Sequence, residues 1–308
     1  LEHAYESTLE EIFPTRANNE IILPEIPVFR AGERVKPRAR GIAKPRFVIP
    51  VFPGTNCEYE SARAVERAGA VADVFVLQTA SSGAIDQSLR AFAAKLDQAQ
   101  GLFLPGGFSN GDEPDGSGKF ITAFLRNPIA AGALMRLIDE RDGLMLGICN
   151  GFQALIKLGL VPYGRIVEPS SAMPTLTFNA IGRHQSRLVR TRVTSDHSPW
   201  LMLAGTGNIY SMPVSHGEGR FLCEAELLQD LAQSGQIAAQ YVDEFGNPTM
   251  DVRCNPNGSL AAVEAITSPD GRILGKMGHS ERIGQGLYQN VAGNYDMRLF
   301  ESAVLYFS

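Results

Sequence analysis

The pattern of apolar and polar positions divides the chain into two unlike halves. Phe47 to Phe52 is an unbroken apolar run closed by Pro53-Gly54. A run of that length ending in a turn signal predicts a strand buried on both faces. From Asn56 to Ala68 the period changes: Ala62, Val65 and Ala68 share one helical face, and Gly69 supplies the stop. The alternation then repeats. Val71 to Leu77, Gly101 to Leu104 and Gly143 to Ile148 read as strands, and Ile85 to Leu96 and Asn150 to Leu158 as helices. Strands alternating with helices predict an α/β fold with a doubly wound, mostly parallel sheet covered on both faces.

Past that point the runs are short and extended: Arg187 to Thr194, Ile237 to Val242, Leu260 to Ile266 and Ile273 to Met277. Turn sequences separate them, at Asp243–Pro248, Asn255–Gly258 and Ser268–Gly271. This predicts antiparallel hairpins added to one edge of the same sheet. A closing helix is expected over Met297 to Tyr306. Ahead of Arg46 the pattern fades. A short helix is expected over Ala4 to Phe13. Beyond it come Pro24, Pro27, Pro37 and Pro45, and a basic run of Arg34, Lys36, Arg38, Arg40 and Lys44. Residues 1–45 therefore read as a helix and a tethering or docking linker, and residues 46–308 as one catalytic-sized domain. The chain opens at Leu1 in mid-pattern, as a piece of a longer protein would.

Composition narrows the function without choosing it. Hydrophobic residues are 44% and charged residues 20% of the 308, so a large core needs no staple. A net charge of -5 gives no electrostatic case for nucleic acid. No run approaches the roughly 20 apolar residues of a membrane helix. Cys57, Cys149, Cys223 and Cys254 are dispersed, with no C-x-x-C pair, so no metal site is assigned and reduced thiols in a cytoplasm are expected.

The sharpest chemical signal is Gly147-Ile148-Cys149-Asn150-Gly151. By itself this is compatible with a buried cysteine at a glycine turn. Placed after a strand and before a helix, it has the form of a nucleophile elbow carrying a thiol. The glycines remove Cβ atoms that would clash in a tight strand-to-helix turn, and the helix N-terminus favours thiolate. The N–H of Asn150 would face an oxyanion formed beside the sulfur. A thiolate nucleophile needs a base, and the base an orienting group. Of the five histidines, His279 lies in Gly278-His279-Ser280-Glu281, at the end of an apolar extended segment. In extended backbone an H-x-E spacing puts both side chains on one face. Pro105-Gly106-Gly107-Phe108, after the third strand, can bring further backbone N–H groups to the same oxyanion. Gly116-Ser117-Gly118-Lys119 is not a phosphate loop, since Glu113 and Phe120 stand where Gly and Ser or Thr are required. Cys57 lacks the elbow glycines and reads as structural or lining the site.

Taken in order, Pro-Gly-Gly-Phe, Gly-Ile-Cys-Asn-Gly-Phe-Gln and His-Ser-Glu resemble the class I glutamine amidotransferases. Further segments sharpen the likeness: residues 52–58 and 107–112, Val214-Ser215-His216-Gly217-Glu218-Gly219-Arg220, Gly246-Asn247-Pro248 and Asn255-Pro256-Asn257-Gly258. They are similar to the glutaminase portion of phosphoribosylformylglycinamidine synthases, with the leading segment resembling the tail of the synthetase part of a fused, single-chain form. The resemblance implies a flavodoxin-like sheet and places the nucleophile on Cys149, the base on His279 and its carboxylate partner on Glu281. It implies an oxyanion hole from Gly106 or Gly107 with Asn150, and a glutamine pocket lined by Gln153 and His216. Many relatives carry Pro between the His and the Glu, where this chain has Ser280.

The implied reaction is hydrolysis of glutamine through a Cys149 γ-glutamyl thioester. The ammonia would pass to a synthetase partner that uses ATP and Mg to convert formylglycinamide ribonucleotide to its amidine. No cofactor is expected in this chain, and neither nucleic acid nor membrane as a partner. Two rival readings are a peptidase or deglycase of the same elbow type, and a non-catalytic docking module.

Overall fold

A computed structural model describes residues 4, 7–10, 12, 26–32, 35, 37, 41–109, 117–284 and 286–308. Within them, β1 (Arg46–Val51), β2 (Val71–Val76), β3 (Gly101–Leu104), β4 (Leu144–Ile148) and β11 (Ile273–Lys276) pair in parallel, in the order β2-β1-β3-β4-β11. The helices between them are α1 (Glu58–Arg67), α2 (Ser82–Leu96), α3 (Lys119–Arg126), α4 (Pro128–Met135) and α5 (Asn150–Leu158). The chain steps outward from β1 to β2 and then back across β1 to β3. Right-handed crossovers in opposite directions place α1 and α2 on opposite faces, which is what doubly wound means. The two faces carry separate aromatic clusters. On one, Phe47 and Phe103 meet Trp200, Phe300 and Phe307. On the other, Phe52 and Phe92 meet Phe124 of α3.

The sheet does not stop at β11. It continues antiparallel through β10 (Val263–Thr267), β9 (Ile237–Val242), β6 (Gln185–Val193) and β7 (Ile209–His216), giving nine strands. The expected hairpins are therefore present, on the β11 side. β5 (Thr175–Phe178) and β8 (Glu218–Leu222) form a separate two-stranded ribbon. Short helices α6 (Leu160–Tyr163) and α7 (Ala225–Gln233) fill connections, and α8 (Leu299–Phe307) begins two residues and ends one residue later than its pattern suggested. The expected strand from Leu260 begins only at Val263. Leu260–Ala262 is a 3-10 turn whose Ala261 carbonyl accepts from the buried Gln240 amide.

The helix expected over Ala4–Phe13 falls largely outside the described residues, and residues 7–10 are turns and a bend. Of the basic run, Arg34, Lys36, Arg38 and Arg40 also lie outside them. Residues 26–31 lie against the body: Phe29 donates its N–H to Thr194 O at 2.8 Å, and Ala31 donates to Asp196 at 2.7 Å. No single helix among the described residues is long and apolar enough to cross a membrane.

Candidate active site

In an open parallel sheet the strand carboxyl ends form the crevice where ligands bind. Cys57, Gly106, Cys149 and His279 follow the ends of β1, β3, β4 and β11. Because those four strands are neighbours, the four residues converge. A Cβ on Gly106 would lie 2.7 Å from His279 Cε1, 3.1 Å from Cys57 Sγ and 3.5 Å from Cys149 Cβ. Only hydrogen fits among them.

The elbow has the strain its sequence predicts. Cys149 sits at φ 52°, ψ -106°, a conformation costing about 1–3 kcal/mol for a residue with a Cβ. Its N–H is fixed to Lys276 O at 2.8 Å and its carbonyl accepts the N–H of Gln153 at 3.0 Å. The flanking glycines allow α5 to lie close on the sheet. A Cβ at Gly151 would come 2.1 Å from Leu104 O, and one at Gly147 would come 2.6 Å from Leu155 Cδ1.

Cys149 is 4% exposed. Burial pushes its thiol well above the ordinary range, and the negative charges available at Cys57 and Glu281 push the same way. The N–H of Asn150 and the Arg282 guanidinium oppose this without reversing it. The expected lowering by the helix N-terminus is thus not the outcome in this closed geometry. A half-charge at a helix end is outweighed when the sulfur loses nearly all of its water.

His279 and Glu281 are both buried, and Nδ1 of the imidazole is 2.6 Å from Glu281 Oε1. Burial works to raise the Glu281 carboxyl, but the charge and hydrogen bond of His279 hold it below the usual carboxylate range. The backbone is not the extended one expected. Ser280 N–H bonds Gly278 O and Arg282 N–H bonds His279 O, so the two side chains meet across a tight turn. The imidazole's backbone N–H is anchored on Pro213 O of β7 at 2.9 Å.

Around this centre the other sequence candidates take definite places. Phe108 N–H is committed to Gly54 O, while among the described residues the N–H groups of Gly106 and Gly107 make no hydrogen bond. Gln153 accepts from Asn150 Nδ2 at 2.9 Å and donates to Glu218 O at 2.7 Å, which ties α5 to the ribbon. The Asn150 side chain in turn accepts from Ser109 N–H. His216 is buried with Nδ1 on Asn179, and its Nε2 has no partner among the described residues. Burial first, and the neighbouring His279 second, lower its pKa to about 3, so it is a neutral ring. The Asn255–Gly258 turn holds the His216–Arg220 segment from behind, with Asn257 Nδ2 on Gly219 O at 2.7 Å.

Several residues here were not singled out by the sequence. Arg282 places a guanidinium nitrogen 2.9 Å from Cys57 Sγ, whose thiol burial pushes up to about 11. Lys276 and Glu264 form an ion pair at 3.2 Å, 1% and 0% exposed, directly behind Gly278. Their signal was available: a lysine and a glutamate inside otherwise apolar strands. Cys57, His279 and Glu281 also bring ligand-type atoms within 4.8 Å of one another. That set is ill suited to a metal ion. The Arg282 guanidinium already sets a positive charge 2.9 Å from the Cys57 sulfur, where a cation would have to bind.

Comparison with known proteins agrees with this architecture. Residues 44–307 match the model of a family described as CobB/CobQ-like glutamine amidotransferase domain. The chain is 33% identical over 241 residues to the phosphoribosylformylglycinamidine synthase subunit PurQ of Methanococcus maripaludis, covering 77% of this chain and 82% of that one. It is 30% identical over 271 residues to PurQ of Gloeobacter violaceus, covering 84% and 97%. A solved structure of PurLQS from Thermotoga maritima shares the fold, with a TM-score of 0.62, 24% identity, and coverage of 86% of this chain and all of that one.

Proposed function

This chain belongs to the CobB/CobQ-like glutamine amidotransferase family, and from that premise we propose that it hydrolyses glutamine with Cys149, His279 and Glu281 to supply ammonia to a synthetase partner. The observation that carries the reading is the convergence around Gly106 of a strained elbow cysteine and a histidine whose far nitrogen is held by a buried carboxylate.

In this reading the Cys149 thiol gives its proton to His279 as sulfur attacks the side-chain amide carbon of glutamine. Such a transfer is needed because burial keeps the resting thiol protonated. The oxyanion is met by the N–H of Asn150 and by an amide of Gly106 or Gly107. His279 returns the proton to the leaving nitrogen, which departs as ammonia and leaves a γ-glutamyl thioester on Cys149. Water, deprotonated by the same imidazole, attacks the thioester and frees glutamate and the thiol. Glu281 stays ionised, fixes the tautomer and stabilises the imidazolium. Gln153 and His216 line the glutamine pocket, His216 as a neutral ring.

The similarity to PurQ subunits supports a place in forming the amidine of formylglycinamide ribonucleotide. There the partner, not this chain, would bind ATP and Mg. Residues 46–308 form the amidotransferase domain, and the preceding segment, outside the family match up to residue 43, is the connection to that partner. The test is glutamate release from glutamine by wild type and Cys149→Ser. A hydroxyl beside a base suited to a thiol is a poor nucleophile, so turnover should vanish. Glutamine turnover by the serine variant within a few-fold of wild type would refute the assignment.

A further inference from the structure

Gly278 precedes His279, and both of its backbone polar groups end on charged side chains. Its N–H donates to Glu264 Oε1 at 2.7 Å, and its carbonyl accepts from Lys276 Nζ at 2.7 Å. The two side chains are themselves paired at 3.2 Å and are almost completely enclosed. The lysine nitrogen also lies 3.0 Å from Met212 Sδ, while Glu264 Oε2 has no hydrogen-bond partner among the described residues. A buried ion pair is rarely retained for stability, because the desolvation of two charges offsets their attraction and an apolar pair of similar volume does as well or better. What charged groups supply here is direction. Glycine has no Cβ to restrict its backbone, so its peptide planes must be fixed by hydrogen bonds. A Cβ at Gly278 would lie 2.2 Å from Met212 Sδ, so a side chain there would have to displace the buried methionine.

Lys276 holds a second part of the site as well. Its own carbonyl accepts the Cys149 N–H at 2.8 Å. One residue at the end of β11 thus fixes the elbow through its backbone and the peptide before His279 through its ammonium. Pro213 O, one residue after Met212, then takes the His279 N–H. We propose that Lys276 and Glu264 are positioning residues: a buried clamp on Gly278 that sets the imidazole of His279 relative to the Cys149 sulfur. The inference rests on the glutaminase reading above.

The test uses the full chain in four variants: Lys276→Met, Glu264→Leu, both together, and Glu264→Gln. Glutamate release gives kcat and KM, thermal melting gives stability, and amide hydrogen exchange reports on residues 278 and 279. Each charge-removing single variant strands a lone buried charge and should melt lower. The double variant strands none and should recover the wild-type melting temperature. If the clamp only stabilises the fold, kcat returns with it. If it positions His279, the double variant keeps kcat at least tenfold down with KM within about twofold, and exchanges the 278 and 279 amides at least tenfold faster. Glu264→Gln retains an acceptor for the Gly278 N–H and should keep most of kcat. A double variant with wild-type melting, wild-type kcat and unchanged exchange overturns the proposal while leaving the glutaminase reading intact. Should wild type release no glutamate, that reading fails instead, and the exchange comparison alone still decides the clamp: faster exchange upholds it and unchanged protection sinks it.

Discussion

A buried thiol is a poor nucleophile until its proton has somewhere to go, and this sets the behaviour expected of single residues. In the mechanism proposed above His279 moves that proton, so His279→Ala should lower kcat by about 10²–10⁴. Glu281→Gln should cost less, because the amide oxygen can still accept from Nδ1 while only the charge is lost. Measured kcat values for the two folded variants check the order, and a larger loss for Glu281→Gln would reverse the roles assigned. Because burial raises the Cys149 thiol, alkylation of the resting chain by iodoacetamide should be slow at neutral pH and climb steadily as pH rises past the usual thiol range. Rates that are already maximal at pH 7 would instead point to a preformed thiolate and imidazolium pair. At this scale much was legible. The elbow pentapeptide and the H-x-E spacing point to Cys149, His279 and Glu281 from the chain alone, and the structure brings these three side chains to one centre. The direction of the Cys149 shift was not legible, because it depends on how completely neighbours distant in sequence exclude water.

Elements were read well where the pattern was local. α5 spans Asn150–Leu158 and β3 spans Gly101–Leu104, as the periodicity required. α3 and α4 went unread because punctuation masks them: Gly116-Ser117-Gly118 stands before one and Pro128 opens the other, whose residues are apolar with no polar face. β7 was missed for a different reason. Pro213 lies within it, which argues against a central strand. It is tolerated because β7 is the last strand of the sheet and pairs only with β6 there. The packing of α5 on β3 yields a sharp expectation. Gly151→Ala would drive a methyl against the Leu104 carbonyl, a backbone atom with little freedom to retreat. A loss of at least about 1–3 kcal/mol follows from overpacking, read as a lower denaturant midpoint, with glutaminase activity falling as the elbow shifts. An unchanged midpoint would mean that α5 does not lie as close to the sheet as described.

Across the whole molecule, the buried polar groups make stability depend on acidity. His216 stays neutral in the folded chain down to about pH 3, against an ordinary value of 6.5. Unfolded chains bind its proton first as pH falls. Its contribution is therefore complete above about pH 6.5 and is lost progressively as pH drops towards 3, by at most about 1.4 kcal/mol per pH unit. His216→Gln should flatten the acid limb of a melting-temperature profile relative to wild type, and parallel profiles would contradict the neutral buried ring. What the sequence by itself determined was local. Hydrophobic period set the alternating strands and helices, glycine spacing set the elbow, and residue type set the chemistry proposed for Cys149, His279 and Glu281. What only the tertiary structure decided was which distant segments close on that centre. β7 stands four places from β11 in the sheet order, yet the antiparallel extension curls so that Pro213 and Ser215 reach His279 and Cys149. Glu264 and Lys276 meet behind Gly278 because β10 and β11 are paired neighbours, with Ala265 opposite Lys276. Period and spacing are properties of neighbours along a chain, whereas the pairing register and twist of nine strands are settled by packing the whole sheet at once.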